Sequence, residues 1–449
     1  MFFSTAEVLA VEPYAGEPLP CARCRGAGAG RPCAVRCPCG AWHHQSAALP
    51  CWTYAEHARS ATSGHTGRAA AVDAVVAVRC TAMPRRPRRS VVVVGAGNIG
   101  SHLVPLLARR PEVGHLTIVD RDHYDRSNLS GQDIGRRDVG RAKAAVQARR
   151  ARRANPRLAV TPLVEPVENV PLGALRADAV VACVDTRAAR RHLAQAAWRL
   201  GVPLVDGGVL ADGLLARVDV FSPAPDAACL ECSWSDADYA ALEQEYPCDA
   251  GRESTPAPTG APASLGALTA ALQAIECEKL LSGRAAEALI GRQVVIDARA
   301  HRHFVTARRR NPACRFDHRT PRIERLDRSP DELTMAQVLA LAPVVRGVHG
   351  ELTLSVEGKS FLTEVRCPRC GVAVSTYFRL AGRLEPADAI CDRCGRARVA
   401  SAFDAVERLS AHLPKSQLAR PLSSFGFRAG DVFTLATADA QAHFEIGRR

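Results

Sequence analysis

A glycine-rich turn is the first part of the chain whose residue types and spacing indicate chemistry. Gly95, Gly97 and Gly100 follow the apolar run at 90–94 and open an apolar helical stretch. Glycines allow a backbone to approach phosphate oxygens, and the free N–H groups at a helix start can bind them. Asp120 ends the next strand-like run, where a carboxylate can hydrogen-bond a ribose. The pattern predicts a nucleotide site; the alternative is a structural turn that binds no nucleotide.

Clustered cysteines indicate metal sites. The chain contains 17 cysteines in 449 residues, and in a cytoplasmic protein such clusters favour metal binding over disulfides. Two Cys-x-x-Cys pairs separated by 20 residues, with ligands Cys367, Cys370, Cys391 and Cys394, predict a zinc ribbon. An N-terminal cluster resembles prokaryotic RING-like zinc modules, with candidate ligands Cys21, Cys24, Cys37, Cys39, His43, Cys51 and His57. So short a module buries little apolar surface, and we expect zinc to stabilise it.

Alternating strands and helices must position these residues. Apolar runs rich in β-branched residues predict buried strands, and stretches of helical periodicity separate them. The alternation predicts an α/β fold: a Rossmann-like, mostly parallel sheet with helices on both faces, flanked by small zinc-binding modules. We expect an irregular segment at 236–262 and short strands beyond about residue 320. The predicted strands are 90–94, 115–120, 177–184 and 203–206, and the predicted helices are 100–109, 140–154, 186–200 and 263–281.

The segment after the second predicted strand resembles the ubiquitin-activating enzyme-like adenylyltransferases, the ThiF/MoeB family. It reads LTIVDRDHYDRSNL at 116–129, with Asp120 and Asp122 at the family's two aspartates and Ser-Asn-Leu at its end. The sequence Gly-Arg-Ala-Lys ending at Lys143 looks like the family's Gly-x-x-Lys, and Asn155-Pro156 matches its Asn-Pro. The run VACVDT resembles the family strand that leads to its Mg-binding aspartate, here Asp185. The resemblance covers about residues 88–319.

This resemblance implies that the chain binds ATP and Mg²⁺. Attack on a phosphate anhydride needs charge neutralisation, which Lys143 near the α-phosphate and Asp185 with Mg²⁺ would supply. Asn128 is expected to orient ATP or the incoming carboxylate. An arginine usually precedes the glutamine of this motif; here Gly131 occupies that position, and Arg126, Arg136 or Arg137 are the candidates to replace it. The implied cofactor-binding residues are Gly95, Gly97, Gly100, Asp120, Asp122, Asn128, Gln132, Lys143 and Asp185.

Two further features follow from the resemblance. Related enzymes hold a structural zinc with a Cys-x-x-Cys and a later cysteine pair. Here the set would be Cys229, Cys232, Cys314 and His318, a Cys₃His site that zinc accepts, with Asp317 as a weaker alternative. Cys248 precedes the helix that follows the catalytic-cysteine loop in the family, so it is the candidate to receive the acyl group as a thioester.

The motifs divide the chain into four predicted regions. They are a RING-like zinc module at 1–62, a linker at 63–89, an adenylation domain with structural zinc at 90–319, and a zinc-ribbon region at 320–449. The net charge is +13, but no nucleic-acid motif accompanies it, so we expect no nucleic-acid partner. The chain has no apolar run long enough for a transmembrane helix and no signal-peptide pattern at its start. We therefore expect a cytoplasmic protein that does not bind membranes.

Together these expectations define one predicted function. The chain adenylates the C-terminal glycine carboxylate of a ubiquitin-like or sulfur-carrier protein, and thioester or persulfide chemistry follows at Cys248. The carrier and a conjugating enzyme are the expected partners, and the resemblance favours a homodimer. The alternatives are adenylation of another carboxylate, on a peptide or modified tRNA, a nicotinamide-dependent oxidoreductase, and a non-enzymatic zinc scaffold.

Overall fold

The computed structural model describes residues 88–245, 260–341 and 351–447. The predicted N-terminal zinc module, most of the linker, and Cys248 lie outside these residues. An eight-stranded sheet organises the first part of the described chain. Its strands are β1 (Arg89–Val94), β2 (Val113–Val119), β3 (Ala159–Leu163), β4 (Ala179–Ala182), β5 (Leu204–Leu210), β6 (Leu215–Phe221), β7 (Arg292–Asp297) and β8 (Arg302–Ala307).

The spatial order is β3-β2-β1-β4-β5-β6-β7-β8. The first five strands are parallel, and β6, β7 and β8 continue the sheet in antiparallel register. The strand order reverses between β1 and β4, where sheets of this kind open a crevice for ligands at the carboxyl ends of the strands. The helices of this part are α1 (Gly100–Ala108), α2 (Lys143–Ala154), α3 (Arg187–Leu200), α4 (Asp236–Glu245) and α5 (Ala263–Leu281).

Side-chain alternation along β1 builds the two faces of the sheet. Val91 and Val93 pack with α1, α2 and α5 on one face, whereas Val92 and Val94 pack with α3 on the other. This period of two is what an extended strand imposes. The predicted α/β class with helices on both faces is confirmed, although the sheet is more mixed than the sequence indicated.

One element contradicts the sequence analysis. Residues 236–245 form helix α4, where we expected an irregular segment. The Asp238 carboxylate accepts hydrogen bonds from the N–H and hydroxyl of Ser235, at 2.9 and 2.8 Å, and so caps the helix start. Asp236 and Asp238 also place negative charge in the first turn, which the helix dipole favours.

The C-terminal part contains two smaller sheets around their own core. Their order is β14-β10-β15-β16-β9 in one sheet and β12-β11-β13 in the other. The strands are β9 (Ile323–Arg325), β10 (Thr353–Ser355), β11 (Phe361–Arg366), β12 (Ala373–Leu380), β13 (Ala405–Val406), β14 (Arg408–Ser410), β15 (Val432–Ala436) and β16 (Gln441–Glu445), and the helices are α6 (Met335–Leu339), α7 (Pro386–Ala389) and α8 (Lys415–Leu418). Among the described residues, no helix combines the length and apolarity needed to span a membrane.

Candidate nucleotide site and zinc centres

The glycine turn leaves β1 at the carboxyl edge of the sheet and enters α1. Gly95 has φ +91°, and a Cβ there would lie 2.4 Å from the carbonyl oxygen of Cys183. A Cβ on Gly100 would lie 1.9 Å from the Gly95 oxygen, so both positions require glycine. Gly97 differs, since the nearest atom to a Cβ there is Gln132 Nε2 at 3.9 Å. Gly97 therefore faces open space, as a phosphate-binding position requires.

Two polar side chains fix the turn. Asp120 accepts a 2.7 Å hydrogen bond from the Ala96 N–H, and Tyr124 donates a 2.6 Å bond to the Ala96 carbonyl. Gln147 in turn donates to the Tyr124 hydroxyl at 2.9 Å. Across the described ranges, the N–H groups of Gly97 and Asn98 have no acceptor. The turn thus presents two free donors in a fixed backbone, the arrangement that binds phosphate oxygens.

Lys143 lies beside this turn at the start of α2. Its Nζ is 3.0 Å from the Asp122 carboxylate and 5.9 Å from the centre of the Tyr124 ring. The Lys143 side chain is only 12% exposed, whereas Asp122 is 53% exposed. Burial raises the pKa of Asp120 above its ordinary value, and the charge of Lys143 opposes that shift. The structure therefore brings Asp120, Asp122 and Lys143 together, with a largely buried cation near the Asp120 carboxylate that holds the glycine turn.

Gln132 and Asn128 come from the segment after β2. Gln132 is the neighbour of Gly97 noted above, and its Oε1 is buried without a partner in the described chain. Asn128 accepts a 3.0 Å bond from the Asp125 N–H. Gln132 thus borders the open side of the turn, and Asn128 helps to shape the loop that precedes it.

Asp185 stands beyond the end of β4 and is exposed. The preceding residue, Val184, approaches the turn, since its nitrogen would lie 3.2 Å from a Cβ on Gly95. Arg190 in α3 holds this segment by donating to the carbonyls of Val184, at 2.6 Å, and Gly207, at 2.9 Å. Arg190 also pairs with the fully buried Asp206. A carboxylate here has the oxygen donors that Mg²⁺ prefers.

Three arginines are the candidates to replace the arginine that is absent at Gly131. Arg126, Arg136 and Arg137 are exposed, and within the described ranges their guanidinium groups have no carboxylate partner. Gly131 itself is confined, because a Cβ there would lie 3.1 Å from the Ala261 carbonyl oxygen.

A first group of metal-ligand side chains lies after β6 and after β8. The ligand atoms of Cys229, Cys232, Cys314 and His318 all lie within 4.8 Å of one another. The sulfur of Cys229 is 3.8 Å from that of Cys232 and 3.7 Å from that of Cys314. Thiolates on one tetrahedral zinc stand about 3.8 Å apart, given Zn–S bonds of about 2.3 Å. The donor set therefore fits zinc, as predicted.

The surroundings of His318 suit a metal ligand. Its Nδ1 is 2.7 Å from the Phe316 carbonyl oxygen, which leaves Nε2 to face Cys232 at 3.3 Å. Burial lowers the pKa of His318 and so favours the neutral ring that binds metal. Asp317, the weaker alternative ligand, is instead paired with Arg199. The ring of Trp198 packs edge-on against His318, with centroids 4.8 Å apart.

The second group lies at the tip of the sheet formed by β11, β12 and β13. The ligand atoms of Cys367, Cys370, Cys391 and Cys394 also fall within 4.8 Å of one another. Each Cys-x-x-Cys pair is followed by a glycine at φ +69°, and its N–H donates back to the first cysteine of the pair. Both knuckles thus present their thiols to one point, which fits a Cys₄ zinc ribbon.

Several residues that shape the nucleotide site were not assigned a role from the sequence. Tyr124 and Gln147 pin the glycine turn, Arg190 holds the strand end before Asp185, and Gln273 in α5 donates to the carbonyls of β4 and β5. Arg190 lies five residues after Asp185, close to the VACVDT run, and this position could have indicated a role. Asn98, Tyr124 and Gln273 bond to backbone carbonyls across the fold, and no local pattern predicts such contacts.

These features define a nucleotide-binding α/β protein with two zinc-competent clusters. The ThiF family profile matches residues 82–316, and the chain belongs to the ThiF family. The SAMP-activating enzyme E1 of Haloferax volcanii is 34% identical over 227 residues, covering 50% of this chain and 78% of that protein. The molybdopterin-synthase adenylyltransferase of Escherichia coli is 30% identical over 227 residues, covering 50% of this chain and 85% of the relative.

Other similarities cover less of the compared proteins. The human ubiquitin-like modifier-activating enzyme 7 is 38% identical over 147 residues, which are 30% of this chain and only 14% of the human protein. Among solved structures, E. coli MccB with ATP shares 22% identity at a TM-score of 0.41, covering 51% of this chain and 66% of the MccB chain.

Proposed function

We propose that this protein activates the C-terminal glycine carboxylate of a small ubiquitin-like or sulfur-carrier protein by adenylation. The observation that carries the proposal is a glycine turn with free N–H groups at Gly97 and Asn98, held by Asp120, whose carboxylate also interacts with the largely buried cation of Lys143. Relatives with similar coverage are named as an E1 for SAMP and as a molybdopterin-synthase adenylyltransferase, which supports a carrier protein as substrate.

The proposed chemistry needs little proton transfer. A glycine carboxylate is ionised at neutral pH, and one of its oxygens attacks the α-phosphorus of ATP while the bond to diphosphate breaks. Negative charge accumulates on the phosphate oxygens, where Lys143 and the N–H groups of the turn neutralise it. Asp185 is the residue that would hold Mg²⁺, whose charge offsets that of the departing diphosphate. The products are an acyl-adenylate and diphosphate.

In the second proposed step, the Cys248 thiolate attacks the acyl carbon, and AMP leaves with the electron pair of the broken anhydride bond. This step rests on sequence alone, because Cys248 lies outside the described residues. The zinc modules are proposed to hold the carrier, a conjugating enzyme or another acceptor. Homodimer formation is likewise a proposal drawn from the family.

Exchange of labelled diphosphate into ATP, measured with candidate carriers that end in glycine, tests the first step. We expect exchange to be lost in Lys143→Ala and Asp185→Ala and retained in Cys248→Ala. Lys415→Ala is the matched control, because Lys415 is an exposed lysine at the start of α8. Loss of exchange in Lys415→Ala as well would contradict the assignment of Lys143, and binding of NADH without binding of ATP would favour the oxidoreductase.

The thioester is tested separately. We expect an ATP-dependent adduct between enzyme and carrier that thiols cleave and that Cys248→Ser abolishes or converts to a thiol-resistant ester. An adduct of unchanged yield and thiol sensitivity in Cys248→Ser would exclude this cysteine as the acceptor.

A further inference from the structure

The side chain of Asn98 makes an unusual set of contacts within the glycine turn. Its Nδ2 donates to the carbonyl oxygen of Gly131 at 2.6 Å and to that of Ala261 at 3.1 Å, with Pro262 O a longer neighbour at 3.4 Å. These acceptors belong to two segments that are distant in sequence. One amide group therefore joins the turn to the segment that carries Gln132 and to the start of α5.

The chain leaves space for this amide on both sides. A Cβ on Gly266 in α5 would lie 2.4 Å from Asn98 Oδ1 and 2.5 Å from the Asn98 backbone oxygen, so a side chain there would displace both the amide and the turn. The Gly131 Cα faces the Ala261 carbonyl, and an added Cβ would lie 3.1 Å from that oxygen. The glycines at 131 and 266 thus leave the space that the side chain of Asn98 occupies.

The contacts have a consequence for the free donors of the turn. Asp120 and Tyr124 hold the turn at Ala96, and the side chain of Asn98 holds it two residues later through the Gly131 carbonyl. The N–H groups of Gly97 and Asn98, which follow the anchored Ala96, are among those left without acceptors in the described chain. Fixing their direction before the nucleotide arrives reduces the ordering cost of binding.

We propose that Asn98 is a positioning residue for ATP. It aligns the phosphate-binding N–H groups and keeps Gln132 at the open side of the turn, through its bonds to the backbone at 131 and 261. This inference rests on the proposed ATP-dependent function. The Asn98 side chain would raise the affinity for ATP without itself contacting the nucleotide.

The chemistry of the contacts predicts an order among variants. Asn98→Ala removes the donor and leaves the Gly131 and Ala261 carbonyls without it. Asn98→Asp places a carboxylate against two carbonyl oxygens, which is repulsive, and its negative charge also opposes phosphate binding. Gly266→Ala keeps Asn98 but pushes on both its side-chain amide and its backbone carbonyl oxygen, which a Cβ at 266 would approach to 2.4 and 2.5 Å, so it moves the turn itself.

The test measures MgATP binding by calorimetry on the full chain, together with thermal unfolding. We expect Kd to rise about tenfold in Asn98→Ala, the effect of one or two lost hydrogen bonds, and further in Asn98→Asp. Gly266→Ala, which also moves the turn backbone, should raise Kd at least as much as Asn98→Ala. The control is Asn155→Ala, since Asn155 donates a 3.1 Å bond to the Ala108 carbonyl at the opposite end of α1, and its Kd should stay within about twofold of the wild type while its Tm falls.

In the exchange assay, Asn98→Ala should raise KM for ATP and leave kcat and KM for the carrier within about threefold. Unchanged Kd in both Asn98 variants, with Tm lowered as in Asn155→Ala, would show a structural role only and overturn the inference. A wild-type protein that binds MgATP but never exchanges diphosphate would contradict the proposed function, and the Kd comparison would still decide the role of Asn98. A wild type that binds no ATP would overturn both.

Discussion

The variant Gly97→Ala tests whether the glycine turn binds a nucleotide or has only a structural role. A Cβ at position 97 would meet no atom closer than 3.9 Å, and the backbone there is not left-handed, so alanine fits the fold. We expect the free energy of unfolding to rise by about 0.4–1 kcal/mol, because alanine restricts the unfolded chain more than glycine does. The methyl group would, however, stand where phosphate oxygens must reach the free N–H groups.

The expected loss in affinity follows from those hydrogen bonds. Bonds to charged groups contribute about 1.5–3 kcal/mol each, so one lost bond weakens ATP binding by roughly tenfold to a hundredfold. Calorimetry with MgATP measures this, and thermal unfolding measures stability in the same samples. Gly283→Ala is the control and should show the opposite pattern. Gly283 has φ +80°, which disfavours alanine, although no atom lies within 4 Å of an added Cβ. We expect this variant to lose about 1 kcal/mol of stability and to bind ATP like the wild type. A stable Gly97→Ala protein that binds MgATP like the wild type would refute the phosphate-binding role of the turn.

Three further outcomes are expected. His318→Ala should lower the zinc content by about one ion per chain, whereas His318→Cys should retain it because zinc accepts four thiolates; equal zinc in both variants, by elemental analysis, would contradict the Cys₃His site. Gly131→Arg should weaken rather than restore ATP binding, measured as KM in diphosphate exchange, since the new side chain must pass the Ala261 carbonyl. Burial in α3 lowers the pKa of His192 to about 4. As the pH falls from about 6.5 to 4, the unfolded chain therefore gains a proton that the folded chain does not, and the free energy of unfolding should decrease. In urea titrations His192→Gln should reduce this pH dependence, and an unchanged pH dependence would exclude His192 as its cause.

Four of the five parallel strands were predictable because their signals are local. The valine run of β1, the glycine turn and the long apolar helix α5 each carry their pattern within a few residues, and α5 spans Ala263–Leu281 as expected. The parallel edge strand β3 and the antiparallel strands β6, β7 and β8 were not assigned. β8 is exposed along its whole length, so it lacks the apolar periodicity by which strands are recognised.

The roles of the polar residues were less predictable than their positions. The ribose contact of Asp120 stays a prediction, and the structure adds a second role, because its carboxylate accepts the N–H groups of Ala96 and Asp122, at 2.7 and 2.8 Å. A residue-level motif indicates that a carboxylate belongs at this strand end, but only the folded backbone shows which donors reach it. The same holds for the zinc ligands, where spacing identified the cysteines of the ribbon and only a family resemblance joined Cys229 to His318.

The C-terminal part is anchored to the segment that leads into β4. Arg383 and Arg428 both donate to the Asn169 carbonyl, and Arg383 also forms an ion pair with the buried Asp431. Asn169 returns a 3.1 Å bond to the Gly382 carbonyl, so the contact is reciprocal. The Arg383–Asp431 pair holds the Arg383 guanidinium in place, and separating the two parts would leave the Asn169 carbonyl and both arginine donors without these bonds, which costs free energy. A protein held by the zinc ribbon, as proposed, would therefore be presented at a fixed position relative to the strand that precedes Asp185, rather than on a flexible tether.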